Sequence, residues 1–372
     1  MKMAFLLNEY RPFGGMPRDC LRLAKEAASR GHTVSIVTRS WQGDQPDIRG
    51  VNVVKLGRFG LTNFQRDRFF IQKATVWVES HSPDLVLGFL RMPGLDAYFA
   101  SDPCFEAKAR RLKPRWFRLT PRYRRFARAE SAVYKTGLHT QVLLLHAGEI
   151  ADYQTYYGTE RDRLHVLPPG IQRPDPEEET ARMEARDSVR VEFGIPRSVP
   201  VVLLAGSGFR TKGLDRALIA LATLPDAHLV IAGQDKPEPF QEQANQLGLE
   251  DRVHFLGGRS DLDRLMLASD LLIHPAYSEN TGTVLLEALV VGLPVIASAV
   301  CGFATHVHDS KAGVVLAEPY SQDELNQVVQ DLIRDAPRRE TMRRAGRAYG
   351  ISKDLYSCHQ RAVDLLEKFG GA

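Results

Sequence analysis

Cysteine, long apolar runs and serine-hydrolase motifs are scarce or missing in this chain of 372 residues. Its four cysteines are scattered without a C-x-x-C pair, which suits a reducing compartment and offers no metal framework. No stretch reaches the ~20 apolar residues of a membrane span, and the run Met3–Leu7 is too short for a signal peptide. We therefore expect a cytoplasmic protein, which can still contact a membrane from outside.

Other signatures are absent or incomplete. No G-x-S-x-G is present, which disfavours a serine hydrolase. Gly206-x-Gly208 begins like a dinucleotide fingerprint, but Thr211 stands where the third glycine belongs. The histidines of 306–308 lack a third ligand, and Asp261-Leu262-Asp263 opens a predicted helix that we expect it to cap. These patterns predict neither a metal site nor an NAD site.

Apolar strands and helical patterns alternate along the chain, which is 44% hydrophobic and 25% charged. The alternation predicts an α/β fold with parallel sheets, and the length suits two domains. The first unit has strand Met3–Leu7, a loop and helix Pro17–Ser29, with Pro17 at the first helical position. By contrast, the acid-rich stretch Pro174–Ser188 is predicted to be a surface loop or exposed helix.

Asp270–Ser298 carries a strand, a polar loop, an apolar helix and a second strand. Parallel sheets bind ligands beyond the carboxyl ends of their strands, where a loop also exposes free helix N–H groups. Two glutamates bracket this loop, Glu279 within it and Glu287 inside the apolar helix. A carboxylate in an apolar helix needs a polar partner when buried, so either a ligand site or a loop with a solvent-facing glutamate fits.

Two glycine-containing loops precede other predicted helices. In the loop 206–213, Arg210 and Lys212 stand beside glycines, which offers cations and N–H groups to a phosphate. In the first loop, Gly14 and Gly15 either let a ligand approach the backbone or form a tight turn with positive φ. Asp19 follows in the predicted first helical turn, where it favours the helix dipole and also suits contact with an acceptor hydroxyl.

Residues 104–135 hold the most uneven charge, with eleven basic residues against Glu106 and Glu130 in a chain of net charge +4. The predicted patch comprises Lys108, Arg110, Arg111, Lys113, Arg115, Trp116, Arg118, Arg122, Arg124, Arg125 and Arg128. Aromatic residues, among them Tyr123 and Tyr134, are interleaved with it. This combination favours an anionic membrane surface, ahead of a solvated basic face and of nucleic acid.

The spacing from Glu279 to Glu287, with Gly282 between them and Gly292-Leu293-Pro294 after them, resembles the E-x7-E signature of retaining family 4 glycosyltransferases. The resemblance spans nearly the whole chain. Within the family, the chain looks similar to the branch that adds glucose to the lipopolysaccharide core. It implies an α/β architecture called GT-B, two Rossmann-like parallel-sheet domains facing each other across a cleft. The implied domains are 1–168, to which 355–372 returns, and 169–354.

The resemblance also implies roles for individual residues. Glu279 would hold the donor sugar and Glu287 the ribose, while Lys212, helped by Arg210, would neutralise the diphosphate. Asp102 takes the place of the family's usual histidine near the reacting carbon, although an Asp-Pro turn explains it equally. With Glu279 and Lys212, the implied catalytic set includes Asp102 and Asp19. The remaining implied donor contacts are Gly14, Gly15, Arg173, Ser207, Arg259, Asn280, Thr281, Gly282 and Thr283.

The implied activity is transfer of glucose from UDP-glucose to an inner-core heptose of lipopolysaccharide, with an α-linkage and without metal or cofactor. The implied partners are the UDP-sugar donor, the lipopolysaccharide acceptor and the cytoplasmic face of the inner membrane, with no nucleic acid. Alternatives are another donor such as UDP-galactose, another lipid-linked acceptor, or a sugar-nucleotide epimerase of the same fold. An NAD-dependent oxidoreductase or an inactive lipid-surface binding module would represent other classes.

Overall fold

The computed structural model describes residues 1–12, 14–174 and 179–371. Contacts divide the chain into an N unit, Met1–Gly170 with Ser357–Ala372, and a C unit, Ile171–Tyr356. The sequence-based boundaries after residues 168 and 354 lie close to these divisions. Phe13 of the first glycine loop and residues 175–178 of the acid-rich stretch lie outside the described residues.

Within the described residues, each unit contains one parallel sheet, as the alternating pattern predicted. The N-unit strands are β1 (Lys2–Tyr10), β2 (Thr33–Trp41), β3 (Val51–Lys55), β4 (Leu85–Gly88), β5 (Ala97–Ala100), β6 (Gln141–Leu144) and β7 (Leu164–Val166), in the order β3-β2-β1-β4-β5-β6-β7. The C-unit strands are β8 (Val201–Ala205), β9 (His228–Ala232), β10 (Val253–Phe255), β11 (Leu271–His274), β12 (Val295–Ser298) and β13 (Gly313–Leu316), in the order β10-β9-β8-β11-β12-β13.

The α-helices connect these strands and flank the sheets. They are α1 (Gly15–Ser29), α2 (Asn63–His81), α3 (Phe105–Leu112), α4 (Pro121–Tyr134), α5 (Ile150–Tyr157), α6 (Glu179–Phe193), α7 (Phe209–Lys212), α8 (Leu214–Ala222), α9 (Glu238–Gln246), α10 (Leu262–Ala268), α11 (Thr283–Val290), α12 (Ala304–Ser310), α13 (Gln322–Arg334), α14 (Ala336–Ser352) and α15 (Cys358–Phe369). Helix α15 packs against α1 in the N unit.

Both faces of each sheet are covered, which explains why the strands are apolar without alternation. On β1, Phe5 joins the core beneath α1 and α15, whereas Leu6 joins the core beneath α2, α4 and α5. On β8, Leu204 and Leu203 divide between two cores in the same way. Strand registers such as Leu203 opposite Leu272 then fix the carboxyl ends of neighbouring strands at one edge.

Helix α6 confirms the alternative of a mostly exposed helix for the described residues up to 188, and its next two residues are buried. Its Val189 is buried in a C-unit core. Arg190, 1% exposed, donates to Asp270 Oδ2 at 3.2 Å, and Val201 N donates to the same oxygen at 2.9 Å. The helix is thus anchored, just beyond the predicted stretch, through a buried ion pair.

Candidate functional site

The order of the second sheet reverses between β8 and β11, which lie side by side. Ligands of open parallel sheets bind beyond the carboxyl ends of the strands at such a reversal. The loop 206–208 and helix α7 follow β8, and the loop 275–282 follows β11. The topology thus brings the predicted phosphate loop and the loop of Glu279 together.

Backbone contacts hold these two loops at close range. Gly213 has φ +76°, and a Cβ there would lie 2.1 Å from the carbonyl oxygen of Pro275, so this approach requires glycine. Tyr277 N donates to Thr211 O at 2.9 Å. Arg216 Nη1 donates to Pro275 O at 3.0 Å. Lys212 lies within this connection and is therefore presented to the loop 275–282.

Glu279 is the centre of the site. Lys212 Nζ forms an ion pair with its Oε2, and His274 Nε2 lies 3.1 Å from the same oxygen. The N–H of Asn280 donates to Oε1 at 3.1 Å. The structure therefore joins two residues predicted from separate motifs, Glu279 and Lys212, in one charged cluster.

The surroundings keep the Glu279 carboxyl ionised. Burial opposes ionisation, but the hydrogen bond with His274 and the charge of Lys212 outweigh it and lower the pKa of Glu279 to about 2. The site thus offers an anionic acceptor for sugar hydroxyls. It also offers a cation that a phosphate can approach, because the side chain of Lys212 is 19% exposed.

His274 was missed by the sequence-based analysis. It ends the apolar strand β11, its side chain is 1% exposed, and its Nδ1 has no hydrogen-bond partner in the part of the chain that the structure describes. A proton on Nε2 allows this nitrogen to donate to Glu279. The available signal was a histidine at the carboxyl end of a strand.

The start of α11 completes the loop. Gly282 takes φ +79° at the N-cap, and the N–H groups after it are those that open the helix. The carbonyls of Asn280 and Thr281 accept from Gly302 N at 3.0 Å and Phe303 N at 2.8 Å, which fixes the loop backbone. Thr283 begins the helix, with its hydroxyl 3.4 Å from that of Thr281.

Other predicted donor residues lie in the C unit with partners of their own. Glu287 is half-buried on α11. Arg210 is 73% exposed, pairs with Asp215 at 2.9 Å and lies over the ring of Tyr277, so it does not contact the Glu279 cluster. Ser207 Oγ accepts from Gln234 N at 3.2 Å.

Two predicted arginines on the C unit are similarly engaged. Arg173 lies over the ring of Tyr356 at 4.1 Å from its centroid. Arg259 bonds Asp261 at 2.7 Å and Glu192 at 3.1 Å. Asp261 does precede α10, but its carboxylate bonds Arg259 and Arg264 and makes no capping bond, which corrects the predicted cap.

In the N unit, helix α1 begins at Gly15, so the prediction of Pro17 at the first position is wrong. Gly14 is the N-cap with φ −84°, which excludes the alternative of a turn with positive φ at this residue. A Cβ on Gly14 would lie 2.9 Å from Cδ of Pro17, whereas a Cβ on Gly15 would meet nothing within 4 Å. Open space at Gly15 allows a ligand to approach the backbone.

Asp19 consequently lies in the second turn of α1, and the predicted first-turn placement is wrong. Its Oδ1 lies 3.2 Å from Nε2 of His359 on α15. The side chain of Asp19 remains 27% exposed. A link between α1 and α15 is thus a role of this carboxylate that the sequence did not indicate.

Asp102 lines a cavity of about 740 Å³ in the N unit. The cavity lies at the reversal of the first sheet, since it is walled by Asn8 of β1 and by Phe89 just after β4. Arg124, Arg125 and Arg128 of the predicted patch also line it. Asp102 therefore lies with part of the basic segment at a position where α/β sheets bind ligands.

The basic segment forms α3, a 3-10 turn at Arg115–Leu119, and α4. Most of its cations are exposed: Arg110, Arg111, Lys113, Arg115, Arg122, Arg124 and Arg128, with Lys108, Arg118 and Arg125 half-buried. Its two glutamates are buried. Glu130 accepts from Phe105 N at 2.8 Å, and Glu106 bonds Arg110 and Tyr123. The exposed face is therefore strongly cationic.

Only some aromatic residues of this segment are exposed, whereas the prediction assigned them together to a membrane surface. Trp116 is 65% exposed, as an interfacial residue should be. Tyr134 is fully buried and stacks on Tyr153 with centroids 3.8 Å apart, and Tyr123 donates to Glu106, so these two belong to the fold. Composition alone could not tell which face of α4 the rings occupy.

Among the described residues, no group of three His, Cys, Asp or Glu side chains is arranged to hold a metal ion. The same residues include no helix that is both long and apolar enough to span a bilayer.

Similarity to known proteins agrees with this geometry. Residues 13–173 match the model of Glycosyltransferase Family 4, and residues 185–349 match that of Glycosyl transferases group 1. The lipopolysaccharide glucosyltransferase WaaG of Escherichia coli (strain K12) is 41% identical over 371 residues, covering 98% of both chains. A D-inositol 3-phosphate glycosyltransferase of Stackebrandtia nassauensis is 28% identical over 404 residues, covering 96% of this chain and 87% of its own.

Solved structures show the same architecture. The crystal structure of WaaG, a glycosyltransferase involved in lipopolysaccharide biosynthesis, superposes with a TM-score of 0.93 at 41% identity, covering 98% of this chain and 99% of its own. Anabaena Alr3699/HepE in complex with UDP and glucose shares the fold, with a TM-score of 0.75 at 21% identity over 99% of this chain and all of its own. The GT-B prediction is confirmed, and the chain belongs to the family 4 glycosyltransferases, in the branch that includes the lipopolysaccharide glucosyltransferase WaaG.

Proposed function

We propose that this glycosyltransferase is a retaining enzyme that transfers glucose from UDP-glucose to an inner-core heptose of lipopolysaccharide, forming an α-linkage without a metal ion. The observation that carries the proposal is the Glu279 cluster at the carboxyl ends of β8 and β11. The name and extent of similarity of WaaG support glucose and lipopolysaccharide as the substrate classes.

Lys212 and Glu279 are ion-pair partners in the cluster. A donor diphosphate competes for Lys212, and the sugar hydroxyls take up the carboxylate oxygen that Lys212 releases. His274 and the Asn280 N–H hold Glu279 in place during this exchange. Binding of the two halves of the donor is therefore coupled through one ion pair.

Charge develops on the leaving diphosphate as the bond to the sugar breaks. Lys212 and the free N–H groups that follow Gly282 supply positive potential there, and such stabilisation often dominates catalysis. In the proposed route, the acceptor oxygen bonds the anomeric carbon on the face that UDP leaves. Its proton passes to the departing phosphate oxygen, so no protein nucleophile is required.

The acceptor is proposed to bind the N-unit cavity that holds Asp102. The cationic face of α3, the 3-10 turn and α4 is proposed to contact the anionic cytoplasmic surface of the inner membrane, where a lipid-linked acceptor is presented. Trp116 supports this orientation because exposed tryptophan favours the interface of a bilayer.

The test is turnover of a panel of UDP- and GDP-sugars, with and without delipidated heptose-containing core. The proposal expects UDP-glucose consumption that depends on the acceptor and is lost in Glu279→Gln, which keeps the shape but removes the charge. Consumption of UDP-galactose instead of UDP-glucose would change the assignment of the donor sugar. Interconversion of sugar nucleotides without acceptor would identify an epimerase and reject the proposal.

A further inference from the structure

Three apolar side chains around the start of α2 are exposed beside the basic segment. Phe59 is 70% exposed, Leu61 91% and Phe64 49%. Together with the residues between them, they form a segment, 59–64, which we call the α2 loop. Exposed apolar side chains that cluster in one short loop mark an interaction surface, whereas isolated ones do not.

Several backbone groups of the α2 loop are paired locally. Gln65 Oε1 accepts from Leu61 N at 2.8 Å and from Thr62 N at 3.2 Å, and Arg66 Nε donates to Gly60 O at 2.9 Å. Thr62 Oγ1 accepts from Gln65 N at 3.2 Å, completing a capping box. Pairing of polar backbone groups lowers the cost of entering an apolar phase, and these bonds provide it for the backbone groups of Gly60, Leu61 and Thr62 that they involve.

The loop geometry also fixes the direction of the side chains. Gly60 has φ +115°, and a Cβ there would lie 2.5 Å from Cβ of Gln65. This glycine lets the chain turn tightly onto the capping box, and it leaves Phe59 and Leu61 outside the turn. The exposed side chains are therefore displayed by a fixed turn.

Arg125 joins the α2 loop to the basic segment. Its guanidinium lies 5.2 Å from the ring centroid of Phe64 and 5.1 Å from that of Phe126, and it pairs with Asp67. The start of α2 and the start of α4 are thus neighbours. The turn before α4 carries Trp116 and Leu119, 65% and 74% exposed, so each helix is preceded by an exposed apolar segment.

The exposed charges around both segments are mainly positive, although Arg58 lies 3.8 Å from Glu9 and Arg125 pairs with Asp67. Arg58 is 48% exposed and Arg68 is exposed near the α2 loop, while Arg122 and Arg124 are exposed near the start of α4. Apolar side chains rimmed by arginine suit an anionic lipid surface, because acyl chains accept the former and headgroups the latter. A protein partner would need acidic side chains around an apolar groove, which is a rarer complement.

We propose that the α2 loop is a second membrane-contacting element, which inserts Phe59 and Leu61 into an anionic lipid surface beside the basic segment. The inference deepens the proposed membrane contact of residues 104–135, which supplies charge, by adding an apolar anchor. The two contacts differ in their response to salt, since charge attraction is screened whereas apolar insertion is not.

The test compares full-length variants binding to phosphatidylcholine vesicles that contain about 30% phosphatidylglycerol. Phe59→Ser with Leu61→Ser removes apolar surface without changing charge. The matched control is Val191→Ser with Ile351→Ser, two C-unit residues that are each 81% exposed. A third variant, Arg122→Glu with Arg124→Glu, changes charge alone and avoids Arg125, whose pairing with Asp67 supports the fold.

We expect the α2-loop variant to lose at least about tenfold in vesicle partition, and to stay weaker than wild type at about 0.5 M salt. The control should change by less than about twofold. The arginine variant should lose binding mainly at low salt. Phe59→Trp should in addition show fluorescence quenching by brominated lipid beyond that of the wild-type tryptophans.

Unchanged partition of the α2-loop variant, with an arginine variant that binds weakly, would overturn the α2-loop inference and leave the basic segment as the contact. A change in molecular mass by light scattering, with unchanged partition, would assign the loop to contacts between copies and also overturn it. Absence of vesicle binding by the wild type would reject both membrane proposals. None of these outcomes depends on sugar transfer, so the donor assignment is tested separately.

Discussion

His274 Nε2 lies 3.1 Å from Oε2 of Glu279, so a buried imidazole helps to orient the carboxylate assigned to the donor sugar. In the proposed mechanism a diphosphate engages Lys212, which leaves His274 and the Asn280 N–H as the contacts on Glu279. His274 therefore acts through Glu279 as a positioning residue. Its effect should appear in the bond-breaking step, where a fixed carboxylate matters most.

We expect His274→Ala to lower kcat by about tenfold or more, with a smaller change in the affinity for UDP. His274→Gln should recover part of the loss, because a glutamine side-chain N–H can reach the position of Nε2. Steady-state kinetics and calorimetry measure the two quantities. Equal activity of the alanine and glutamine variants would contradict a role through the hydrogen bond, and thermal unfolding identifies any misfolded variant.

Lys212 is expected to carry the interaction with the diphosphate. Lys212→Ala removes the cation and leaves Glu279 without its ion-pair partner, so UDP should bind about 10- to 100-fold more weakly. Lys25→Ala, an exposed lysine on α1, is the control for loss of one charge. Calorimetric titration with UDP measures the affinity, and unchanged binding by Lys212→Ala would remove the phosphate role from this residue.

The sequence was sufficient to predict the parallel sheets, because strand, loop and helix signals are local. It also singled out Glu279 and Lys212 as candidates, which the structure brings into contact where parallel strands end. It did not reveal His274, whose pattern is that of the last residue of an apolar strand. It misplaced Asp19 because Pro17 is a plausible first helical residue, while the helix begins at Gly15 through a cap at Gly14. Such a two-residue shift moves a side chain from the first helical turn to the second, away from the free N–H groups at the start of the helix.

The same limit applies to Tyr134 of α4. Helical spacing alone does not show which face packs on the sheet, and the interleaved basic residues suggested an exposed ring. In the structure the ring packs between Tyr98 and Tyr153, and the basic side chains occupy the other face. Tertiary packing, which no local pattern contains, decides such cases.

Glu149 makes stability depend on pH. Burial raises the pKa of this carboxyl from 4.5 to about 8, and the nearby charge of Arg91 offsets only part of the effect. Between these pH values the folded chain holds a proton that the unfolded chain has released. The free energy of unfolding should therefore decrease as pH rises from about 4.5 to about 8.

Glu149→Gln should remove this part of the pH dependence, since an amide does not ionise and can still accept from Cys104 N, now 3.1 Å from Oε1. The free energy of unfolding of the variant minus that of wild type should be larger at pH 8 than at pH 5 by about 1 kcal/mol or more. Urea unfolding at both pH values measures this. His146→Gln is the control for a neighbouring titratable group, because it removes the imidazole whose Nε2 lies 4.0 Å from Oε2 of Glu149 and leaves Glu149 in place. Parallel pH profiles for Glu149→Gln and wild type would contradict the assignment.

Gly213 is expected to couple stability to donor binding. Gly213→Ala places a Cβ 2.1 Å from Pro275 O, so the connection that presents Lys212 must move away from the loop of Glu279. Gly248→Ala is the matched control, since Gly248 also has positive φ, at +66°, but a Cβ there meets nothing within 4 Å. Backbone strain of about 1–2 kcal/mol is common to both variants.

The steric contact is present only in Gly213→Ala, so this variant should lose at least about 1 kcal/mol more in urea unfolding than Gly248→Ala. It should also bind UDP about tenfold more weakly, whereas Gly248→Ala should bind it normally. Equal losses of stability would mean that the approach of Pro275 relaxes without cost. Normal UDP affinity in Gly213→Ala would contradict the coupling and would mean that the contacts of Tyr277 and Arg216 suffice to position Lys212.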